Sequence, residues 1–464
     1  MQALSTNRPR HLAGPKFSTV HLMNNALLSQ SGQQALFRKI SWRLLPFLTL
    51  CYTFAYLDRI NIGFAKIQMQ ADIGLSDAAY GLGAGIFFLS YMLFEIPSNL
   101  LFPRLGARRT FSRIMILWGL TSAAMLFVTS ANQFYVLRFL LGVFEAGFAP
   151  GLIFYMTYWY PESRMARAIT IIMFCGPIGG IIGAPVSTGL ITTLDNVGGL
   201  AGWQWMFLVE GLPCAILGLL CLRLIVDRPS DAKWLSEEEK NYLAAELQRS
   251  GSADSRKHHS FKQVLCDPRV LLLSISYFCI ICGHYTVSFW LPTILRSAGV
   301  ADTMHIGIYS AIPYVAAILA MLWWGRRSDR LGERRWHSAS MLAVASVTLL
   351  VAAFNGSSLL ITLVSITIAT AALWAAYTVF WAMPSDYMKG DTAAGGIALV
   401  NTIGAFGGFI SPTLIGYFKT LTGTMQSGLF AMVGVLAIGT VLLLVNRLPA
   451  AAPKQGLHAD PGSL

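Results

Sequence analysis

The chain has 464 residues, of which 55% are hydrophobic and only 12% are charged. Soluble domains carry roughly twice that charged fraction, so the composition excludes a soluble globular protein and predicts an all-α protein that crosses a membrane many times. The net charge of +12 at pH 7 does not require a nucleic-acid partner, because the basic residues follow the topology of the predicted spans.

Twelve apolar runs, each long enough to cross a bilayer as a helix, follow a polar and basic N-terminal stretch. Their predicted bounds are 43–65, 79–102, 110–130, 133–155, 166–191, 204–225, 270–295, 305–325, 337–354, 358–382, 393–418 and 427–447. Six spans precede the longest polar break and six follow it. We therefore predict a cytoplasmic segment 1–39, a six-helix half 40–225, a cytoplasmic central loop 226–269, a second six-helix half 270–447 and a cytoplasmic tail 448–464. In the central loop, Ser236 and Glu239 predict a capping box at a helix start.

The basic residues lie mostly on one side of these spans. If both termini are cytoplasmic, the outer segments hold only Lys66, Arg296 and Lys419, and Arg59 and Arg138 lie within spans. All other lysines and arginines fall on the cytoplasmic side, which is the positive-inside pattern. Residues 1–40 lack the apolar core of a secretory signal, so we expect the first span to direct insertion into the membrane.

The two halves repeat one another. The segment 99–109 after span 2 matches the segment 325–335 after span 8 in position and in its arginines. Two related six-helix halves place a binding site near the middle of the membrane, between them. The glycines of the repeat allow close helix packing, or bending where the halves move, and the pattern is compatible with both. These residues are Gly176, Gly179, Gly180 and Pro185 in span 5, and Gly404, Gly407, Gly408 and Pro412 in span 11.

Charged residues inside spans 1 and 4 predict the functional centre. Asp58 and Arg59 are adjacent in span 1, and Arg138 and Glu145 lie two helical turns apart in span 4. An ionisable side chain at the middle of a membrane helix costs at least about 2.5 kcal/mol. Arginine stays protonated and can bind both oxygens of a carboxylate, so Arg59 and Arg138 are candidates for binding an anionic substrate. Arg138 could equally be a structural or gating partner of Asp58 or Glu145.

Asp58 and Glu145 are the candidates for proton coupling. Burial and a nearby arginine act in opposite directions on the protonation of a carboxyl group, so small changes of surroundings can change its state. The alternative is a permanent ion pair that holds helices together. Two further acids lie in the spans. Glu95, at the cytoplasmic end of span 2, is interpreted as an inter-helix or gate contact, and Glu210, at the start of span 6, as a structural residue.

Polar and aromatic side chains in spans 2, 7, 10 and 11 are candidates for shaping a substrate cavity. His284 could instead be a hydrogen-bonding partner between helices, and the aromatic residues could pack against lipid or against other helices. The candidate substrate contacts are Tyr91, His284, Tyr377, Trp381 and Asn401.

The loop Asp329-Arg-Leu-Gly-Glu-Arg-Arg335 resembles the signature loop of the major facilitator superfamily. The twelve spans, the repeat of six and the central loop agree with this resemblance, which covers about residues 40–447. The first copy departs from the pattern, with Asn99 in place of a glycine and Pro103 in place of an acidic residue. The residues of these loops are expected to form a conformational latch to neighbouring helices: Arg104, Gly106, Arg108 and Arg109 in the first copy, and Gly325, Asp329, Arg330, Gly332, Arg334 and Arg335 in the second.

Four further motifs resemble the anion:cation symporter family of this superfamily. They are Glu95-Ile-Pro-Ser-Asn99, Leu57-Asp-Arg-Ile-Asn61, Arg138-x6-Glu145-Ala146, and Trp159-Tyr-Pro161 followed by Arg164 and Arg167. The resemblance implies a major facilitator fold and a bacterial inner-membrane carrier that imports an organic carboxylate with protons by alternating access. The carboxylate could be a sugar acid, a hydroxy-diacid or an aromatic acid. The resemblance also implies that Asp58 and Glu145 carry the coupled protons and that Asn401 contacts substrate.

We expect no cofactor, no metal and no enzymatic activity, with the proton gradient as driving force and a monomer in the bilayer. The sequence has no GxxxxGK[ST] loop for ATP and no GxSxG or HExxH motif. Cys279 and Cys282 form a CxxC pair inside an apolar span and are expected to be small apolar filler. Anion exchange, uniport and a nutrient sensor built on a transporter fold are the alternatives to proton-coupled import.

Overall fold

The computed structural model describes residues 28–251, 267–388 and 391–446. The described chain contains twelve helical spans long and apolar enough to cross a membrane, so the predicted number of spans and the all-α class are confirmed. The predicted tail 448–464, most of the segment 1–39 and part of the central loop lie outside the described residues. In chain order, spans 1 to 12 are Gln30–Asp72, Asp77–Leu105, Ala107–Phe127, Ala131–Met156, Glu162–Thr193, Gly202–Leu224, Pro268–Ser297, Thr303–Leu331, Arg335–Phe354, Leu359–Pro384, Gly395–Thr422 and Met425–Val445.

Several spans are not single regular helices. Span 3 ends in a 3₁₀ turn, and the helix of span 11 begins before the apolar window, at Asp391. Span 4 breaks at Gly147, whose φ of 88° suits a residue without a side chain. This break leaves Glu145 at the end of a helix. The helices of the interrupted spans are Ala107–Ala124 and Met125–Phe127, Ala131–Glu145 and Phe148–Met156, Glu162–Met173 and Cys175–Thr193, and Leu359–Phe380 and Ala382–Tyr387.

Short polar side chains begin several helices by accepting hydrogen bonds from otherwise unpaired backbone N–H groups. Ser76 accepts from the Ala79 N–H at the start of span 2, and Ser130 accepts from Gln133 at the start of span 4. The predicted capping box is present before the central-loop helix Glu237–Gly251. There the Glu239 carboxylate accepts from the Ser236 N–H at 2.8 Å, and the Ser236 hydroxyl accepts from the Glu239 N–H at 3.2 Å.

Where the two six-helix halves meet, span 2 packs on span 11 and span 5 packs on span 8. These two pairs are equivalent, since spans 2 and 5 of the first half correspond to spans 8 and 11 of the second. The repeated glycines explain this packing. A Cβ on Gly180 would overlap the Tyr314 ring of span 8, and one on Gly408 would overlap the Phe88 ring of span 2. The close-packing interpretation of these glycines therefore agrees with the structure, and the matched contacts follow the repeat of the halves.

Charged side chains join the halves on the side opposite to the central loop. Asp77, at the start of span 2, accepts from Lys66 of span 1 at 2.7 Å and from Lys419 of span 11 at 2.9 Å. The Lys66 side chain is only 3% exposed and also donates to Thr293 of span 7 at 3.2 Å. These contacts hold the two halves together at this end of the bundle.

We expect Gly81→Ala to weaken the contact between spans 2 and 11. A Cβ on Gly81 would overlap the Pro412 backbone carbonyl, and a backbone atom cannot move aside as a flexible side chain can. Overpacking of this kind costs about 1–3 kcal/mol, so the thermal melting midpoint of the purified protein should fall. Gly434→Ala is the matched control, because a Cβ there meets open space. Equal midpoints for both variants would contradict this packing of the halves.

Candidate substrate and proton site between the halves

Arg59 lies at the contact between the two halves. Its Nε donates to Glu145 Oε1 at 2.9 Å, and its Nη2 donates to the same oxygen. From the second half, the Tyr285 hydroxyl accepts from Arg59 Nη1 at 3.3 Å. The Arg59 side chain is 14% exposed and the Glu145 side chain is fully buried. The ion pair is therefore enclosed in the first half and is reached by a tyrosine of the second.

The aromatic rings of span 2 cover this guanidinium. Arg59 Cζ lies 5.4 Å from the Tyr91 ring centroid and 5.6 Å from the Phe87 ring centroid. Cations over aromatic faces at such distances are attracted by the ring quadrupole. Tyr91 thus lies beside Arg59, and its predicted contact with a substrate stays a prediction.

Asp58 points away from Arg59 into a network of hydrogen-bond donors. The Trp118 Nε1–H donates to Asp58 Oδ2 at 2.6 Å, and the Ser122 hydroxyl donates to Asp58 Oδ1. Asn61 Nδ2 donates to Oδ1 at 3.3 Å. Donors that converge in this way stabilise the ionised form of a buried carboxyl. Adjacent in sequence, Asp58 and Arg59 therefore belong to different contact networks.

Arg138 donates its described hydrogen bonds to the backbone of span 2 and not to Asp58 or Glu145, its two candidate partners. Its Nε donates to the Gly83 carbonyl at 3.3 Å, its Nη2 donates to the Ala84 carbonyl at 3.2 Å, and its Cζ lies 5.0 Å from the Phe87 ring. Glu145 pairs with Arg59 instead. Arg138 thus binds the backbone of span 2, and its predicted contact with substrate remains a prediction.

His284 sits in an aromatic cluster of the second half that extends to the first. Its Nε2 lies 3.1 Å from the Tyr56 hydroxyl of span 1, and its ring lies 4.3 Å from the Trp374 ring. Tyr377 lies 5.9 Å from the same imidazole. His284 therefore makes the hydrogen bond between helices that was its alternative interpretation, and a role in substrate binding is not tested by this geometry.

Trp381 lies farther along span 10, at the break of the helix. Its ring centroid is 4.9 Å from that of Tyr277, and Tyr377 lies 6.1 Å from the same tyrosine. Ring contacts thus connect three predicted residues of the second half: His284 and Tyr377 contact each other directly, and Trp381 is connected to Tyr377 through Tyr277. This cluster contacts the first half through Tyr56, which lies against His284.

Glu95 and Asn401 connect the halves on the central-loop side of Arg59. Asn401 Nδ2 of span 11 donates to Glu95 Oε1 of span 2 at 3.0 Å. Glu95 Oε2 is buried and has no hydrogen-bond partner among the described residues. The sequence predicted a gate contact for Glu95 and a substrate contact for Asn401, and the structure brings the two side chains together.

The first loop copy compensates for the acidic residue that it lacks. Asp227, just after span 6, accepts from the Arg108 backbone N–H at 2.8 Å and lies where a Cβ on Gly106 would be. Gly106 has a φ of 80°, which suits glycine. A carboxylate at the N-terminus of the 18-residue helix Ala107–Ala124 is favoured by the helix dipole. An acid from the start of the predicted central loop thus contacts the loop copy in which Pro103 stands in place of an acidic residue.

The second loop copy is held by its own residues. Arg334 Nη1 donates to Asp329 Oδ1 at 2.5 Å. Glu333 accepts from the Trp336 and His337 backbone N–H groups at 2.8 and 3.2 Å. Burial raises the pKa of Glu333, but these N–H donors and His337 outweigh it and leave the pKa below its usual value. The expected latch to neighbouring helices stays a prediction.

Asp329→Asn should slow transport and leave substrate affinity largely unchanged, because the loop lies at the end of the bundle and away from Arg59. The Asp329 side chain is 71% exposed, and an exposed ion pair contributes only about 0–1 kcal/mol to stability. Melting should therefore match that of the wild type. Initial uptake rates and equilibrium binding measured on one preparation test this, with the exposed Asp231→Asn as control. A large loss of binding by a folded Asp329→Asn protein would contradict the assignment.

Sequence reasoning missed most of the partners of the charged centre. Trp118 and Ser122 bind Asp58, and they are four residues apart on one face of span 3. Tyr56 and Trp374 surround His284. The spacing of Trp118 and Ser122 in an apolar span was a usable signal. Nothing in the sequence indicated which span they would face.

Comparison with known proteins agrees with this architecture. A bacterial homologue of the human lysosomal transporter Spinster, solved in an inward-facing and occupied conformation, matches with a TM-score of 0.71 at 17% sequence identity, covering 87% of this chain and 96% of that chain. "Putative metabolite transport protein NicT" of Pseudomonas putida is 44% identical over 419 residues, which are 90% of this chain and 95% of the relative. A "Putative tartrate transporter" of Agrobacterium vitis is 42% identical over 417 residues, 90% of this chain and 92% of the relative.

A bundle of twelve spans in two related halves, with an enclosed arginine and carboxylates where the halves meet, defines a membrane transport protein. The model of the Major Facilitator Superfamily matches residues 48–412 and 300–462. The chain belongs to this superfamily. It is a multi-pass membrane transporter and not an enzyme, as the sequence predicted.

Proposed function

We propose that the protein imports an organic carboxylate anion together with protons across the bacterial inner membrane, with the central loop in the cytoplasm. The observation that carries this proposal is the Arg59–Glu145 ion pair at the contact of the halves, reached by the Tyr285 hydroxyl. The 42% identical relative named "Putative tartrate transporter" supports a small carboxylate as substrate. The basic loops support a cytoplasmic central loop.

Glu145 couples the proton to the substrate through Arg59. In the structure, Glu145 Oε1 occupies two of the guanidinium N–H donors, while Glu145 Oε2 is buried without a partner among the described residues. A proton that binds Glu145 neutralises the carboxylate and releases the guanidinium. Arg59 can then bind both oxygens of a substrate carboxylate. Substrate and Glu145 compete for one cation, so anion binding follows proton binding.

Alternating access then requires two sets of contacts to break in turn. Opening toward the periplasm separates Asp77 from Lys419, because these side chains belong to different halves. Opening toward the cytoplasm separates Glu95 from Asn401, which also belong to different halves. The glycine contacts between spans 5 and 8 and between spans 2 and 11 lie where the halves move against each other.

The experiment has two stages. Purified protein is first screened by thermal shift against tartrate, other hydroxy-diacids, sugar acids and aromatic acids, because a ligand that binds the folded state raises apparent stability. The carboxylate with the largest shift is then used for uptake into proteoliposomes with and without an imposed pH gradient. We expect accumulation only when the lumen is alkaline relative to the outside, and a protonophore should abolish it. Exchange or equilibration without response to the gradient would indicate an exchanger or a uniporter and would overturn proton coupling.

A further inference from the structure

Glu210 of span 6 is a buried acid that neither the ion pair nor the proposed coupling step uses. It is 3% exposed. Ser187 Oγ of span 5 lies 2.7 Å from its Oε1, and Asn61 Nδ2 of span 1 donates to its Oε2 at 3.0 Å. Within the described part of the chain, no lysine, arginine or histidine lies within ion-pair distance of it. A carboxylate in this position would be a buried charge without a counter-ion, which is a costly arrangement.

The charges of the buried centre lead to the same conclusion. Spans 1, 4 and 6 contribute three enclosed carboxyl groups, but only two guanidinium groups. Glu145 is paired with Arg59, and Asp58 receives three hydrogen bonds and interacts electrostatically with Arg138. Glu210 receives only an amide and a hydroxyl. A proton on Glu210 would bring this centre to neutrality.

Asn61 links Glu210 to Asp58. Its Nδ2 group donates to both acids, at 3.0 and 3.3 Å. Its Oδ1 atom is buried, because the residue is 0% exposed. No described residue donates a hydrogen bond to this oxygen. Neutral carboxyl groups can donate one hydrogen bond, which carboxylates cannot. A protonated acid at either end of Asn61 could supply the donor that this oxygen lacks, after rotation of the amide.

We propose that Glu210 is a third proton-binding carboxyl of the carrier, that it is neutral in this structure, and that it exchanges its proton with Asp58 across Asn61. After rotation of the amide, the Glu210 O–H bond breaks as Asn61 Oδ1 takes its proton, and an Asn61 N–H bond breaks as an O–H bond forms on Asp58. Return of the proton from Oδ1 to Nδ2 restores the amide, so the net change is one proton moved from Glu210 to Asp58. The Ser187 hydroxyl can accept from neutral Glu210 and donate to charged Glu210. The inference rests on the proposed proton-coupled function, to which it adds Glu210 as a third proton-binding group.

The surroundings of Glu210 are otherwise weakly polar. Span 1 presents Asp58 and Asn61, and span 5 presents Ser187. Span 3 packs backbone to backbone on Gly211 through Ala123. On span 6 itself, the Cys214 thiol donates to the Glu210 carbonyl at 3.6 Å. Asp58 is thus the acid that responds to a charge on Glu210.

Infrared difference spectroscopy on the full chain in lipid tests this directly, because protonated carboxyl groups have a separate C=O stretching band. The wild type should show a Glu210 component of this band, which disappears as pH rises, and Glu210→Gln should lose that component. Glutamine keeps the size and the hydrogen-bonding capacity of the neutral acid, so the fold should persist. Glu162→Gln, at an exposed glutamate, should retain the band. A band that Glu210→Gln leaves intact, or one that does not respond to pH, would overturn the proposal.

Asn61→Ser provides a second test in which Glu210 itself is unchanged. Serine is too short to reach both acids, so the pH at which the Glu210 band disappears should shift. An unshifted band would overturn the link to Asp58.

In proteoliposomes with tartrate as the probe, Glu210→Gln should move fewer protons per tartrate than the wild type, measured from the pH gradient that just stops net flux. Wild-type tartrate flux that moves no protons would instead refute the proposed function, and the spectra would still decide the state of Glu210.

Discussion

Replacing Arg59 by alanine should abolish uptake of every carboxylate that the protein transports. The guanidinium is the cation at the contact of the halves, and its Nη1 already reaches Tyr285 of the second half. Removing one partner of a buried, hydrogen-bonded charge pair costs about 2–5 kcal/mol, which is a loss of affinity of at least about thirtyfold. Initial uptake into proteoliposomes and the ligand-induced thermal shift measure the loss.

Arg59→Lys should be severely impaired as well. A lysine keeps the charge, but its ammonium group cannot form two parallel hydrogen bonds to one carboxylate. The remaining activity should therefore lie between that of Arg59→Ala and that of the wild type. Arg296→Lys, at an exposed arginine at the end of span 7, should transport normally.

A loss of activity in Arg59→Ala has a structural explanation that must be separated from the functional one. Without Arg59, Glu145 is buried and unpaired, and breaking a buried pair in this way can cost about 3–5 kcal/mol of stability. The double variant Arg59→Ala/Glu145→Gln removes both charges, so it should recover the melting midpoint without recovering ligand binding. Normal transport by either variant at wild-type expression would show that Arg59 is not part of the binding site.

The residues of the charged centre were predictable from sequence, but their pairing was not. Ionisable residues in apolar spans are rare and costly, so Asp58, Arg59, Arg138 and Glu145 could be identified without a structure. The spacing of Arg138 and Glu145 suggested an internal pair on one helix. In the structure, Glu145 pairs with Arg59 of span 1 instead, and Arg138 binds the backbone of span 2.

The first loop copy shows the same limit. The absence of an acid at Pro103 was visible in the sequence, and the resemblance made it a departure from the family pattern. The replacement by Asp227 comes from more than a hundred residues away, after span 6. Local patterns predict helices and their ends, because these depend on neighbouring residues. Contacts between distant spans depend on packing, which a single sequence does not specify.

Glu145→Gln should separate exchange from proton-driven accumulation. Glutamine mimics permanently protonated Glu145, so Arg59 is free to bind a substrate carboxylate at any pH. The loaded carrier should reorient, since its site no longer needs a proton from outside. The empty carrier cannot complete the step in which Glu145 loses its proton and pairs again with Arg59, so the transport cycle should stall there.

Net uptake driven by a pH gradient should therefore collapse in Glu145→Gln, while exchange of labelled for unlabelled substrate persists across the same proteoliposomes. Both assays use one reconstituted preparation, so that a defect in folding or orientation affects them together. Loss of both activities with normal ligand binding would place Glu145 in the movement of the halves. Undiminished proton-driven accumulation would show that Glu145 is a structural partner of Arg59, and proton coupling would then rest on Asp58 and the carboxyl that Asn61 connects to it.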